Sequence, residues 1–228
     1  MQITALPDIA RGSEMTGQEY AYRRLRHALM VGWLTPGASL TIRGLAESLD
    51  LSPTPIREAL RRLSSENAIE VLGNRRLRVP DMTAGRFEEL VALRETLEVH
   101  AAAQSLPHVS DLVISRMEGI DRGICAAQAA GDLDAITGLN QDFHRTLYEL
   151  PPDHAAMPLI ESVWLQLGPF QRLVKEDPDT VEPADAHDAI RAALAGRDAV
   201  ALDAAIRRDV RSAARRVERY HFTKVTPA

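Results

Sequence analysis

The run LTIRGLAESLDLSPTPIREALRRL at Leu40–Leu63 restricts the possible fold more than any other part of the chain. Ile42, Leu45, Ala46 and Leu49 recur at helical spacing, and Asp50-Leu51-Ser52 then interrupts the pattern. A second helix is expected immediately after the break. Ser52 suits the N-cap, Pro53 suits the first helical position because its missing N–H would be unpaired there, and Glu58 adds acid to the early turns. Ile56, Ala59, Leu60 and Leu63 then form the inward stripe, leaving Thr54, Arg57, Arg61 and Arg62 on or near the outer face. Two short helices at a tight turn, the second presenting short polar groups and arginines, make a helix-turn-helix with the chemistry to enter a DNA major groove.

The flanks extend this unit. Residues 1–15 lack periodicity and contain Pro7, Gly12 and Ser13, so a flexible arm is expected. Thr16 caps a helix running to Trp33, with Tyr22, Leu25, Ala28, Leu29 and Trp33 inside and Arg23, Arg24 and Arg26 outside. Thr35-Pro36-Gly37 ends it. In Ala68–Pro80, Ile69, Val71, Leu77 and Val79 flank the turn Gly73-Asn74-Arg75-Arg76, which predicts a two-stranded wing with a basic tip, its three arginines placed to straddle a phosphate backbone.

Charge separates this region from the rest. Residues 16–80 hold ten Arg against six acids, whereas residues 81–228 hold sixteen Lys or Arg against twenty-four acids. A basic module suits a polyanion, and the larger acidic part does not. With aromatics at 4% of the chain, the core must rest on Leu, Ala, Val and Ile, which favours helix packing over a β-sandwich. No apolar run approaches the ~20 residues needed to span a bilayer, and no leader pattern opens the chain, so no membrane association and a cytoplasmic location are expected. The single cysteine, Cys125, lies between Ile124 and Ala126 and is read as packing.

From Asp81 the patterning is helical, divided into about six helices by Leu106-Pro107, Gly131, Pro151-Pro152, Asp177-Pro178, Pro183 and Gly196. The first carries Arg94 on its inward stripe with Phe87, Leu90, Val91, Leu97 and Ala101. An inward arginine needs an ion pair, for which Glu98 stands one turn on, or an acidic ligand suited to its planar fork. Asn140 and His144, spaced i, i+4, share a helix face that Phe143 and Leu147 set near the core. His187 and Asp209 fall at inward positions of two later helices, so four groups able to bind a metal come from three helices. His27, His100, His108, His154 and His221 lack partners at useful spacing, Trp164 is read as core packing, and the arginines from Arg207 to Arg219 as a solvated face.

The run GWLTPGASLTIRGLAESLDLSPTPIREALRRL with its downstream wing resembles the winged helix-turn-helix of the GntR family of bacterial transcription regulators. That resemblance implies DNA contacts at Arg43, Ser52, Thr54, Arg57, Gly73 and Asn74. The chain departs from many relatives in carrying Pro53 in place of an arginine, and Arg76 in place of a wing glycine. The motifs LRETLE, NQDFHRTL and AHDAIRAALAGRDAVAL resemble the all-helical FCD ligand-binding domain of the FadR-like branch, over residues 83–220. There the resemblance implies a divalent metal on Asn140, His144, His187 and Asp209, with Asp209 in place of a third histidine, and a small carboxylate effector reached by Arg94. The donor set suits Zn²⁺, Ni²⁺ or Mn²⁺.

The expected architecture is therefore mainly α: an arm (1–15), a winged helix-turn-helix of three helices and a two-stranded wing (16–80), and an all-helical effector-binding and dimerisation domain (81–228). The expected function is a sequence-specific DNA-binding repressor, a homodimer on a double-stranded operator, released or recruited by a small organic acid. Two rivals are a metal-dependent helical-bundle enzyme and an effector-independent DNA-binding protein. Against the enzyme, no general base beyond the ligands and no nucleophile with an adjacent base is visible.

Overall fold

Each helix of the first eighty residues begins and ends on residues whose side chains or backbone suit the task. The computed structural model describes residues 6–72, 76–175 and 185–223. The wing-tip positions Gly73 and Asn74, and the breaks at Asp177-Pro178 and Pro183, lie outside the described residues. Helix α1 (Gly17–Met30) starts where Thr16 Oγ1 accepts from the Glu19 N–H. Helix α2 (Ile42–Leu49) starts where Thr41 Oγ1 accepts from the Gly44 N–H, and ends on Asp50 in the left-handed conformation at φ 51°. Helix α3 (Pro53–Ser65) follows with Ser52 extended at its N-cap. Ile56, Ala59, Leu60 and Leu63 are all buried against α1 and α2, as their spacing predicts.

The wing contains one strand more than expected. Strands β2 (Glu70–Leu72) and β3 (Arg76–Arg78) pair antiparallel with Val71 opposite Leu77, and β1 (Ser39–Leu40) pairs with the other edge of β3, giving the order β1-β3-β2. Two residues are too few for alternation to register in a sequence. The turn into β1 is set by Gly37 at φ +73°, whose N–H donates to Val79 O while the Val79 N–H donates to Ala38 O.

The chain divides into two compact units, one of Met1–Thr83 with Leu165–Arg172, the other of Ala84–Trp164 with Leu173–Ala228. The second unit is built from α4 (Ala84–Ser105), α5 (Asp111–Ala130), α6 (Leu133–Tyr148), the outer parts of α7 (Met157–Lys175), α8 (Asp185–Ala195) and α9 (Ala199–Val217), followed by a π-helical turn at Glu218–Thr223. Ser110, Asp132 and Asp198 cap α5, α6 and α9 through their side chains, and Gly131 ends α5 at φ 68°. Helix α9 packs on α4 and α8, and α5 packs on α6 and α8. That arrangement turns the inward faces of α4, α6, α8 and α9 toward one another. No helix among the described residues is long and apolar enough to cross a membrane.

Candidate functional site

The first candidate surface lies at the start of α3. Ser52, Thr54 and Arg57 are exposed, and none of the three spends its side chain on another described residue. Two acids of this helix and its C-cap are engaged elsewhere: Glu58 with Arg61 at 3.0 Å, and Glu66 with Tyr22 Oη at 2.9 Å and Arg62 at 3.4 Å. Arg62 also lies over the Tyr22 ring at 3.5 Å, so it belongs to the packing of α1 on α3. Arg43 is exposed on α2 and holds only a solvated pair with Glu47 at 2.8 Å. Of the wing arginines, Arg78 pairs with its cross-strand neighbour Glu70 and with Asp81 at 2.8 Å. One expectation needs correction. Arg24 is not on an outer face: it is buried, bonded to Asp8, Tyr20 Oη and, at 2.8 Å, Leu6 O, while Leu6 itself is 3% exposed.

The second candidate site is the inward cluster of the helical unit. His144 on α6, His187 on α8 and Asp209 on α9 bring one ligand atom each within 4.8 Å of one another. Both imidazoles are tied from behind. His187 Nδ1 meets Asp121 Oδ1 of α5 at 2.5 Å, and its ring stacks face to face on Phe143, with centroids 3.8 Å apart and planes 2° from parallel. His144 Nδ1 meets Tyr148 Oη at 3.1 Å, and that hydroxyl donates to Glu98 Oε2 at 2.8 Å. A proton held on each Nδ1 leaves each Nε2 as a lone pair. His187 Nε2 faces the Asn140 amide at 3.2 Å. His144 Nε2 is 3.1 Å from Asp209 Oδ2, without the alignment of a hydrogen bond, and is otherwise unpartnered although its residue is 1% exposed.

Burial alone would raise the Asp209 carboxyl, but His144, then His187 and Arg94, outweigh it and hold the group well below the usual carboxylate range. Burial pushes the Tyr148 phenol well above its ordinary value, and the Glu98 charge pushes it further. Arg94 donates its Nε to Glu98 Oε1 at 2.5 Å, the expected ion pair one turn on. Its Nη atoms make no hydrogen bond to any described residue, and it does not line the adjacent cavity. That cavity, of about 510 Å³, opens beside Asn140, His187 and Asp209 and is bounded further out by Arg122, Arg191, Ser212 and Arg216. Cys125 is exposed on its wall, so the reading of this thiol as packing is wrong.

Comparison with known proteins covers both parts of the chain. Residues 18–79 match the family described as "Bacterial regulatory proteins, gntR family", and residues 89–212 match the FCD domain. The HTH-type transcriptional regulator McbR of Escherichia coli is 31% identical over 166 residues, covering 73% of this chain and 74% of that protein. The chain belongs to the GntR family. It is a DNA-binding transcriptional regulator of the FadR-like, FCD-containing kind. The solved structure of E. coli McbR superposes with a TM-score of 0.81 at 26% identity, covering 86% of this chain and 94% of that one. A structure from Rhodococcus sp. RHA1 shows the same fold, with a TM-score of 0.73 at 23% identity over 88% of this chain and 96% of that one.

As a GntR-family chain it keeps the inward Asn140, His144, His187 and Asp209 together, as their spacing implies. Sequence reasoning missed three residues behind them. Tyr148 was readable, because it continues the i, i+4 series from Asn140 and His144. Glu98 was considered only as a partner for Arg94, and Asp121 carried no local signal, since it meets His187 across 66 residues. Trp164 is buried as expected but also donates its Nε1 to Glu98 Oε1 at 2.7 Å. The arginines of α9 are not simply solvated: Arg207, at 2.7 Å, and Arg211 both bond Glu95 of α4, and although burial alone would raise that carboxyl, they hold it below its ordinary range.

Proposed function

We propose that this regulator binds its operator through Arg43, Ser52, Thr54 and Arg57, with the wing-tip residues Gly73 and Asn74 beside them, and that a metal-assisted organic acid controls that binding. The uncommitted side chains at the start of α3 support the DNA contacts. The convergence of His144, His187 and Asp209, with one ligand atom of each within 4.8 Å of the others, is the observation that carries the metal. A bare Nε2 and a carboxylate oxygen 3.1 Å apart repel unless a proton or a cation lies between them, and two nitrogens with one hard oxygen suit Zn²⁺, Ni²⁺ or Mn²⁺. Asn140 completes the set when its amide turns its oxygen inward; oxygen and nitrogen exchange by a simple flip.

The cavity charge fits an acidic effector only with that ion. Glu118, Asp121, Asp188 and Asp209 oppose Arg122, Arg191 and Arg216 around the walls, and a divalent cation tips the balance to positive. Arg94 does not line that cavity, so it serves an acidic ligand through the charge it adds beside Asp209 rather than by direct contact. Control requires that the acid bind the DNA-competent and DNA-incompetent arrangements with different affinity. The protein acts as a homodimeric repressor in this reading, since one groove-reading module buries little surface and a two-fold pair supplies the rest.

Elemental analysis of the purified protein, followed by thermal shifts with Zn²⁺, Ni²⁺ or Mn²⁺ and a panel of small organic acids, tests the proposal. Metal should raise the melting temperature, and acid should raise it further only with metal present. His144→Ala should lose both effects; the same metal content in that variant overturns the metal centre. Operator affinity unchanged by saturating acid overturns the control.

A further inference from the structure

Glu98 is fully buried, at 0% exposure, and every contact it makes is with a donor: Arg94 Nε at 2.5 Å, Trp164 Nε1 at 2.7 Å and Tyr148 Oη at 2.8 Å. A carboxylate flanked by an arginine can only accept, so all three hydrogens must point at it. The Tyr148 proton is thereby committed to Glu98. The phenol oxygen keeps only its acceptor capacity, and the one polar group facing it from α6 is His144 Nδ1 at 3.1 Å. That nitrogen must therefore carry a proton, and in the neutral imidazole His144 Nε2 is then bare toward Asp209.

We infer that Glu98, acting through Tyr148, is a positioning residue that fixes the tautomer of His144 and so makes it an Nε2 donor. A buried carboxylate and arginine are a costly way to fill a core, where apolar residues of the same volume often serve as well or better. The direction of the hydrogen bonds supplies what packing alone cannot. Asp121 does the same for His187 from the opposite side, so the two imidazoles are presented to one point by two independent carboxylates. Arg94 rests on the same carboxylate, which joins the group assigned to the effector's acid to the group assigned to the metal.

The inference bears on the metal centre proposed above, but its test does not need the metal. Full-length protein labelled with ¹⁵N-histidine is stripped of metal, and long-range ¹H–¹⁵N spectra are recorded at mildly alkaline pH for the wild type, Tyr148→Phe and Glu98→Gln. In the wild type His144 should appear as the Nδ1–H tautomer. Tyr148→Phe removes the acceptor while keeping the ring, and His144 should become a mixture. Glu98→Gln adds a donor, which lets the phenol point its proton at His144 and favours the Nε2–H form. Zn²⁺ affinity, measured by chelator competition, should fall about 10–100-fold in both variants. An Nδ1–H tautomer that persists in both variants overturns the inference, as does an Nε2–H tautomer in the wild type. If wild-type protein takes up no Zn²⁺ while the tautomer still responds to Glu98→Gln, the inference stands and the metal centre falls. Tyr148→Phe decides alone if Glu98→Gln does not fold.

Discussion

The two candidate sites of this regulator use polar side chains in opposite ways. At the start of α3, Ser52, Thr54 and Arg57 are exposed and uncommitted, and the fold around them is held by Ile56, Leu60 and Leu63 beneath. In the helical unit, His144, Arg94 and Glu98 are buried, and each depends on a neighbour for its place. The difference teaches where function can vary without refolding the chain. A recognition surface built on solvent-facing groups can change specificity at almost no cost in stability, whereas a ligand site built into a core cannot change one member without disturbing the rest.

The largest effect should come from breaking the buried side of this comparison. Glu98→Ala leaves Arg94 without its partner and should lower unfolding free energy by about 3–5 kcal/mol in denaturant titrations of metal-free protein. A loss within experimental error would mean that the network is no more coupled than the surface. Arg57→Ala tests the exposed side: specific operator binding should weaken by ~1–3 kcal/mol in a gel-shift or anisotropy titration, with the melting curve unchanged. A parallel loss of stability would erase the contrast.

Glu95 sharpens the comparison, because it is paired and nearly buried yet lies outside the ligand cluster. Its folded pKa is depressed, so its contribution is present above the ordinary glutamate range and is lost as pH falls through it. Glu95→Gln should therefore flatten the acid side of the stability–pH curve without altering Zn²⁺ uptake. The smallest effect belongs to Arg43→Ala, which removes only a solvated i, i+4 pair and should leave the midpoint of a denaturant titration almost unmoved.

What could be read from the residues follows the same division. The helix-turn-helix was legible because its caps, turn and apolar stripe are local, all within Leu40–Leu63. The inward set of Asn140, His144, His187 and Asp209 was legible because inward placement is a matter of helical phase. Apart from Tyr148, the groups behind that set were not. Asp121, Glu98 and Trp164 acquire their roles from contacts spanning 50 to 66 residues, and β1 exists only because β3 offers it an edge. Arg24 was misplaced for the same reason: its helical phase points outward from the α1 stripe, but the chain at Leu6–Asp8 returns to cover it.

The opening of α3 carries one more consequence. A helix start ordinarily offers a cluster of free backbone N–H groups and the positive end of the peptide dipoles, which together attract phosphate. Here Pro53 and Pro55 remove two of those hydrogens within the first turn, so Ser52 and Thr54 are left to supply them. The start of this helix thus offers a phosphate fewer backbone donors, and more of that task falls to side chains.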